Sequence, residues 1–274
     1  MERMDDLDRL SGLINSRLRR GVRTNNTLSV EDYRREMAAG SLYTHLLDGG
    51  LLLLRRRAGY WLLNYYLVPE AEPFSLPVEG RAAVELPFRP KDAPMEGELL
   101  ALFRASGFHE TLRRVRLERP AGAAEAVDTE FRFRRGTEEE LSGAMELLAG
   151  CFDPVTGCLP SEEALKTDIL AGNLTCALDR EGTLAGLLHS SRGRAAAEIR
   201  HLAVRPDLRG RGCGRGLIAA WLESVEHGKT KVWTGADNAA ALGTYGSAGY
   251  RRDGWYSVAM TGTFPYQDES VQTI

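Results

Sequence analysis

The sequence predicts an α/β chain built as two similar halves. Three observations predict it. Strand-like and helix-like patterns mix in both halves, a short segment recurs at a constant offset, and a glycine-rich turn joins a strand to a helix in the second half only. At 274 residues the chain exceeds the usual size of one compact domain and can bury a substantial core. Its 43% hydrophobic and 27% charged residues are those of an ordinary globular protein.

Leu7, Leu10, Leu13, Ile14 and Leu18 form one helical stripe within residues 4–20, and Ser29 with Asp32 forms a capping-box pattern that opens a second helix. LLLLRRR and YWLLNYYLV flank Ala58 and Gly59, which predicts a hairpin, and AAVELPF adds a strand. A helix follows around Met95–Ala105, Gly107 stops it, and HETLRRVRLER alternates as a strand. Arg119–Thr129 is rich in small residues and lacks periodicity, so it reads as a linker between a domain at 1–125 and another at 126–274.

In the second half FRFRR reads as a strand, Thr137 with Glu140 caps a helix reaching Cys151, and Ser161 opens another towards Leu170. LTCALDR, GTLAGLLHSS and AAAEIRHLAV are the next strands. The helix after the glycine turn is expected to end near His227 and Gly228. KVWTGA is a strand, Asn238 caps a short helix to Ser247, and YRRDGWYSVAM closes the pattern. FRASGF (Phe103–Phe108) and YGSAGY (Tyr245–Tyr250) stand 142 positions apart, each after a helix and before a strand. The match is short and its pattern is common punctuation, but the shared context favours duplication.

The net charge of −3 gives no overall attraction for nucleic acid or anionic lipid, so neither is expected as a partner. The basic residues are nearly all arginine, which suits forked phosphate or carboxylate recognition and follows equally from genomic base composition. Cys151, Cys158, Cys176 and Cys213 include no CxxC pair and no nearby histidine set, so reduced thiols and no metal are expected. MERMDDLDRL is too acidic for a signal peptide, and the apolar run at Leu51–Leu54 ends in three arginines. These features imply a soluble, cytoplasmic chain.

The most distinctive stretch is RPDLRGRGCGRGLIAAWLESV, Arg205–Val225. Arg209, Gly212 and Gly214 satisfy an Arg/Gln-x-x-Gly-x-Gly/Ala pattern, and Arg211, Gly214 and Gly216 satisfy it in an overlapping frame. In a chain so rich in these residues the pattern alone carries little. Its context carries more. The stretch follows the strand-like EIRHLAV and opens a helix with Leu217, Ile218, Trp221, Leu222 and Val225 on one face. A strand, a glycine turn and a helix N-terminus expose unpaired N–H groups at the positive end of the helix dipole, and such a site binds phosphate. Glycine admits the ligand to the backbone, while Arg209, Arg211 and Arg215 add charge. The bland alternative is a tight turn with solvated arginines. Arg215 and Leu217 stand where a dinucleotide fingerprint needs its third glycine, and no GKS or GKT follows for a Walker loop.

Residues 130–262 resemble the GNAT superfamily of acyl-CoA-dependent N-acyltransferases. The resemblance rests on EIRHLAVRPDLRGRGCGRGLI, where the spacing of Val204 and Pro206 selects the Arg209 frame, and on NAAALGTYGSAGY, Asn238–Tyr250. It implies a tandem GNAT-like fold, each half a central mixed, largely antiparallel sheet flanked by helices, with a degenerate, non-catalytic first half. It further implies that the pyrophosphate of acetyl-CoA lies on Arg209, Gly210, Arg211, Gly212, Cys213, Gly214 and Arg215. The pantetheine arm would pair with Leu202, Ala203 and Val204, and Asn238 would flank the same co-substrate. The acceptor is then an amine, on a small molecule or a peptide, that attacks the thioester directly. The oxyanion would be met by a backbone N–H of the Leu202–Val204 segment.

Tyr245 shares a helical stripe with Asn238 and with Ala241 or Leu242. The resemblance makes it the general acid that protonates the departing thiolate; by itself it also fits a core aromatic with its hydroxyl at the rim. Phe103, at the equivalent place in the first half, has no hydroxyl. Glu198 stands where some GNAT enzymes have a glutamate that accepts the amine proton through water, and it fits equally as a partner of Arg200 or Arg194. Strand alternation puts Glu198 on the face of Arg200 and Leu202, with His201 opposite and packed. Cys213 is expected to fill a loop position rather than to act as a nucleophile. The competing functions are a non-catalytic acyl-CoA-binding sensor and transfer of a longer acyl or aminoacyl group. No residue pattern marks the acceptor or the oligomeric state.

Overall fold

The computed structural model describes residues 1–18, 21–122, 125, 127–193, 196–225 and 228–265. The chain forms two compact units, Met1–Arg113 with Tyr256–Ile274, and Arg114–Trp255. These units divide at Arg113 and Trp255, whereas the boundary expected at 125/126 divides the chain by sequence order, and Ala126 lies outside the described residues. The two divisions differ because the last strand of each half contributes to both units.

In chain order the first half contains β1 (Glu2–Arg3), α1 (Leu7–Arg17), β2 (Arg23–Thr24), α2 (Val30–Ala38), β3 (Leu42–Leu47), β4 (Gly50–Arg57), β5 (Tyr60–Leu67), β6 (Gly80–Phe88), α3 (Ala93–Ala105) and β7 (His109–Arg119). The second contains β8 (Arg132–Arg135), α4 (Leu141–Cys151), α5 (Glu162–Leu170), β9 (Leu174–Leu178), β10 (Leu184–Arg192), β11 (Ala196–Val204), α6 (Cys213–Ser224), β12 (Lys229–Gly235), α7 (Ala239–Ser247) and β13 (Arg251–Phe264). Each helix and strand expected from the sequence is present. The strand β3 was not legible, because LYTHLL neither alternates cleanly nor has a strong turn before it. The predicted helix end at His227 lies outside the described residues, and α6 ends at Ser224.

In the first unit β3, β4 and β5 form an antiparallel meander, β6 joins β5 in parallel, and Tyr256–Phe264 of β13 pairs antiparallel with β6. Leu51–Leu54 are all buried because both faces of β4 are covered, Leu52 and Leu54 by one apolar cluster and Leu51 and Leu53 by another. A strand buried on both sides reads as a continuous apolar run, which is the pattern there. The Ser29–Asp32 capping box forms, with Asp32 N donating to Ser29 Oγ at 3.2 Å and Ser29 N to Asp32 Oδ2 at 2.9 Å.

The parallel pairing of β5 with β6 runs from Tyr60↔Arg81 to Leu63↔Val84 and then stops. The gap beyond it is filled from within the unit. β2 pairs with β5 at Arg23↔Leu67 and Thr24↔Tyr66. The Asn25 amide then donates to the Leu63 and Glu85 carbonyls at 3.1 and 2.9 Å and accepts from Tyr65 N at 2.9 Å. At about 1 kcal/mol per bond this plug adds a few kcal/mol. Residues 68–79, between β5 and β6, form no helix.

In the second unit β8, β9, β10 and β11 are antiparallel, β12 joins β11 in parallel, and Arg114–Arg119 of β7 pairs antiparallel with β12. Leu217, Ile218, Trp221 and Leu222 of α6 pack on one side with Tyr245, while α4 and α5 bury Leu148, Leu165 and Ile169 in a separate cluster. The recurrent segment is the same structure twice. Phe108 N donates to Phe103 O and Tyr250 N to Tyr245 O, both at 3.0 Å, and Gly107 and Gly249 take φ of +91° and +88° at the helix ends. This is the Schellman closure of a helix, which needs a residue free of a Cβ clash at that φ. The aromatic pairs match as well, with ring centroids 5.5 Å apart for Phe103–Phe108 and 5.7 Å for Tyr245–Tyr250. Among the described residues no helix is long and apolar enough to cross a membrane.

Candidate functional site

The site begins where β11 and β12 part. Their parallel pairing runs from Ala196↔Lys229 to Ile199↔Val232, and the following residues of β11 pair only with β10. Arg205 N donates to Ala185 O of the β10 side at 2.9 Å. In an antiparallel ladder the bonding direction alternates, so Ala203 turns its amide to β10 while Leu202 and Val204 turn theirs to the open edge. Arg209 Nε donates to Val204 O at 3.2 Å, as an outward carbonyl requires.

The register between β10 and β11 shifts, from His189↔His201 to Ser190↔Ile199, leaving Arg200 as the extra residue of a bulge. The bulge reverses the alternation. Ala197 and Ile199 pack in the same cluster as Leu202 and Val204, whereas Ala203 belongs to the cluster under α4 and α5. Glu198 therefore falls on the face of His201 and Ala203, and the expected shared face with Leu202 is corrected. Simple period-2 counting cannot see an inserted residue. Glu198 makes an ion pair with Lys231, directly across the parallel ladder, at 3.0 Å. Of the partners expected for it, Arg194 lies outside the described residues.

After β11, Pro206–Leu208 form one turn of 3₁₀ helix, and Gly212 caps α6 at φ +84°. Gly216 N closes the first helical bond to Gly212 O at 2.9 Å. The amides of Gly210, Arg211, Gly212, Cys213, Gly214 and Arg215 have no hydrogen-bond partner among the described residues. They stand at the positive end of a 12-residue helix, which is the donor set a diphosphate needs. The arginines are partly committed: Arg211 pairs with Glu130, and Arg209 reaches the Cys151 sulfur at 3.5 Å, while Arg215 is exposed. Cys213 is buried, and burial pushes its thiol up to about 12. A buried neutral thiol is a packing group, as expected.

Helix α7 completes the site. A Cβ at Gly214 would lie 3.5 Å from Thr244 Cγ2 and 3.9 Å from both Leu202 Cδ2 and Val204 Cγ2, so the loop, the open edge and α7 converge. Tyr245 is buried, and its hydroxyl has no hydrogen-bond partner among the described residues. Burial pushes its phenol up, so it carries its proton at neutral pH. Asn238 accepts from Ala241 N at 3.0 Å, which commits its oxygen to capping α7.

The sequence reading missed a buried pair of histidines. His189 and His201 stand opposite each other on β10 and β11 with parallel rings and Nδ1 atoms 3.1 Å apart. His189 Nε2 lies 2.9 Å from Asp168 Oδ2, and His201 Nε2 donates to Gly157 O at 2.9 Å. Burial, with help from the charges of His189, Arg200 and Arg114, pushes His201 down to about 4. Against the upward push of burial, the His189 and Asn173 hydrogen bonds hold Asp168 below its usual value. An unfolded His201 binds its proton near pH 6.5 and the folded one near 4, so the unfolded state holds more protons between them. Stability is therefore expected to fall as pH drops from 6.5 to 4, by about 3 kcal/mol at most, and Asp168 extends the loss below 3.8. Chemical denaturation at stepped pH measures it; a flat profile across that window refutes it.

No curated protein sequence matches the chain at significant similarity. The sequence profile described as "Acetyltransferase (GNAT) domain" matches residues 157–259. Among solved structures, a GCN5-related N-acetyltransferase from Sphaerobacter thermophilus is similar at TM-score 0.58 and 15% identity, covering 89% of each chain. A GNAT-family acetyltransferase from Colwellia psychrerythraea gives 0.56 at 14% identity over 96% of this chain and 98% of that one. A tandem GNAT protein from the clavulanic acid biosynthesis pathway gives 0.52 at 16% identity over 80% of each chain. At these identities the likeness is one of fold, and the tandem neighbour fits the duplicated architecture. Residues 157–259 therefore carry the match to a GNAT acetyltransferase domain, within a fold shared with GNAT structures.

Proposed function

We propose that the protein transfers the acetyl group of acetyl-CoA to an amine, on a small molecule or a peptide, by direct attack on the thioester. The observation that carries this reading is the meeting of the open strand edge at Leu202 and Val204 with the unpaired amides of Gly210–Arg215. The amides accept a pyrophosphate, and the edge takes the amide groups of pantetheine as an added strand would. An outward N–H of Leu202 or Val204 is then the donor for the oxyanion that forms on attack. Tyr245, kept protonated by burial, supplies the proton for the departing thiolate.

Glu198 is the proposed acceptor of the amine proton, through water. Its pairing with Lys231 and its place beyond the bulge also support a purely fastening role, so Glu198→Gln decides: an unchanged rate leaves only the ion pair. Residues 1–125 are the proposed non-catalytic partner domain of a catalytic 126–274. Asn25 fills the gap that would take a pantetheine, no helix follows β5, and Phe103 has no proton to give. A cytoplasmic location and use of acetyl rather than a longer acyl group belong to the same proposal.

The test is free-thiol release from acetyl-CoA and a panel of primary amines, with calorimetry of acetyl-CoA binding beside it. One acetyl-CoA bound per chain and thiol release with an amine support the reading. Binding without release on any amine would make the protein an acyl-CoA sensor, and faster release from longer acyl-CoA donors would replace acetyl as the cargo.

A further inference from the structure

The connection between α4 and α5 has no part in the chemistry above, yet it is built with unusual care. Asp153 Oδ1 accepts from the amides of Val155 and Thr156 at 3.1 and 2.8 Å and from the Thr156 hydroxyl at 2.9 Å, and Gly157 N donates to Asp153 O at 2.7 Å. Cys158 follows at φ +51°, the one non-glycine residue in the left-handed region among the described residues. Such a conformation persists only where its surroundings over-determine it.

Two consecutive carbonyls of this loop are tied to opposite sides of the strand parting. The Arg114 guanidinium of β7, in register with Gly235 at the end of β12, donates to Thr156 O at 2.6 Å. His201 of β11, next to the open edge at Leu202, donates to Gly157 O. The loop also starts at that edge, since the Cys151 sulfur ending α4 lies 4.0 Å from the Val204 carbonyl.

The His201 anchor is itself held by a chain. A carbonyl only accepts, so His201 Nε2 carries a proton. Its Nδ1 stands 3.1 Å from His189 Nδ1, and His189 Nε2 stands 2.9 Å from Asp168 Oδ2, so the two rings are fixed between Gly157 O and the Asp168 carboxylate. The other charged groups near the pair are Arg200 on β11 and Arg114 on β7.

We propose that Asp153–Cys158 is a rigid strap across the parting of β11 and β12, positioned by the Asp168–His189–His201 chain, and that it walls the side from which the amine enters. The last clause rests on the acyl-transfer reading; the strap does not. His201 is a positioning residue, because it reaches neither the open edge nor the loop amides.

Hydrogen exchange in the full chain tests the strap. In His201→Phe the amides of Val155, Thr156 and Gly157 are expected to lose roughly tenfold or more of their protection, while those of β10 and α6 keep theirs. His201→Gln restores protection, because its terminal amide can again donate to Gly157 O, and Asp168→Asn loosens the same three amides. Unchanged protection in His201→Phe, or a loss spread through β10 and α6, overturns the strap. For the wall, the KM of an amine that the wild type acetylates is expected to rise about fivefold or more in His201→Phe while the KM of acetyl-CoA holds. A rise in both or in neither removes the wall. A wild type that acetylates no amine sinks the acyl-transfer reading, and exchange then judges the strap alone.

Discussion

Tyr245→Phe is expected to lower turnover by roughly 10- to 10⁴-fold with the affinity for acetyl-CoA little changed, the range that loss of a general acid produces. The substitution removes one oxygen from a side chain whose ring is locked in the core beside Tyr250, so the ring and α7 stay in place. Among the described residues the hydroxyl has no partner to orphan. The effect should therefore sit in kcat, and the residual rate should rise with better thiol leaving groups. Steady-state kinetics with calorimetry of acetyl-CoA reads both quantities. A rate within about twofold of wild type removes Tyr245 from the mechanism.

Gly212→Val is expected to weaken acetyl-CoA binding by on the order of 10²-fold. Gly212 sits at φ +84°, where a β-branched residue is strained by about 1–3 kcal/mol. Relief of that strain rotates the peptide groups on either side, and their amides are among the six that have no partner among the described residues. Losing one or two charge-assisted bonds at about 1.5–3 kcal/mol each accounts for the fall. Gly212→Ala should fall between the two, with a smaller drop in melting temperature. Calorimetry decides: a folded Gly212→Val chain with an unaltered dissociation constant would mean that the diphosphate does not use this turn.

Much of this was legible in the residues. The capping boxes at Ser29 and Thr137, the glycine closures at Gly107 and Gly249, and the apolar stripe of α6 are local signals, and each formed where its pattern stood. The loop at Arg209–Arg215 was legible for the same reason, since a strand, glycines and a helix start are contiguous. The face of Glu198 was not, because one inserted residue at Arg200 reverses the alternation and leaves no mark in the sequence. Nor was the pairing of His189 with His201, which depends on the register of two strands.

The sequence by itself determined most of the elements, the duplication and the glycine turn at a helix start, because these follow from neighbours within a few positions along the chain. Only the tertiary structure decided which parting of parallel strands is open and which is closed. In the first half Asn25 reaches nearly forty positions ahead to Leu63 and sixty to Glu85, filling a gap that no local pattern announces. In the second half the gap stays open beyond Ile199 and Val232, beside six amides that have no partner among the described residues. Two copies of one fold thus differ at the strand parting through contacts between distant residues, which a linear reading cannot rank.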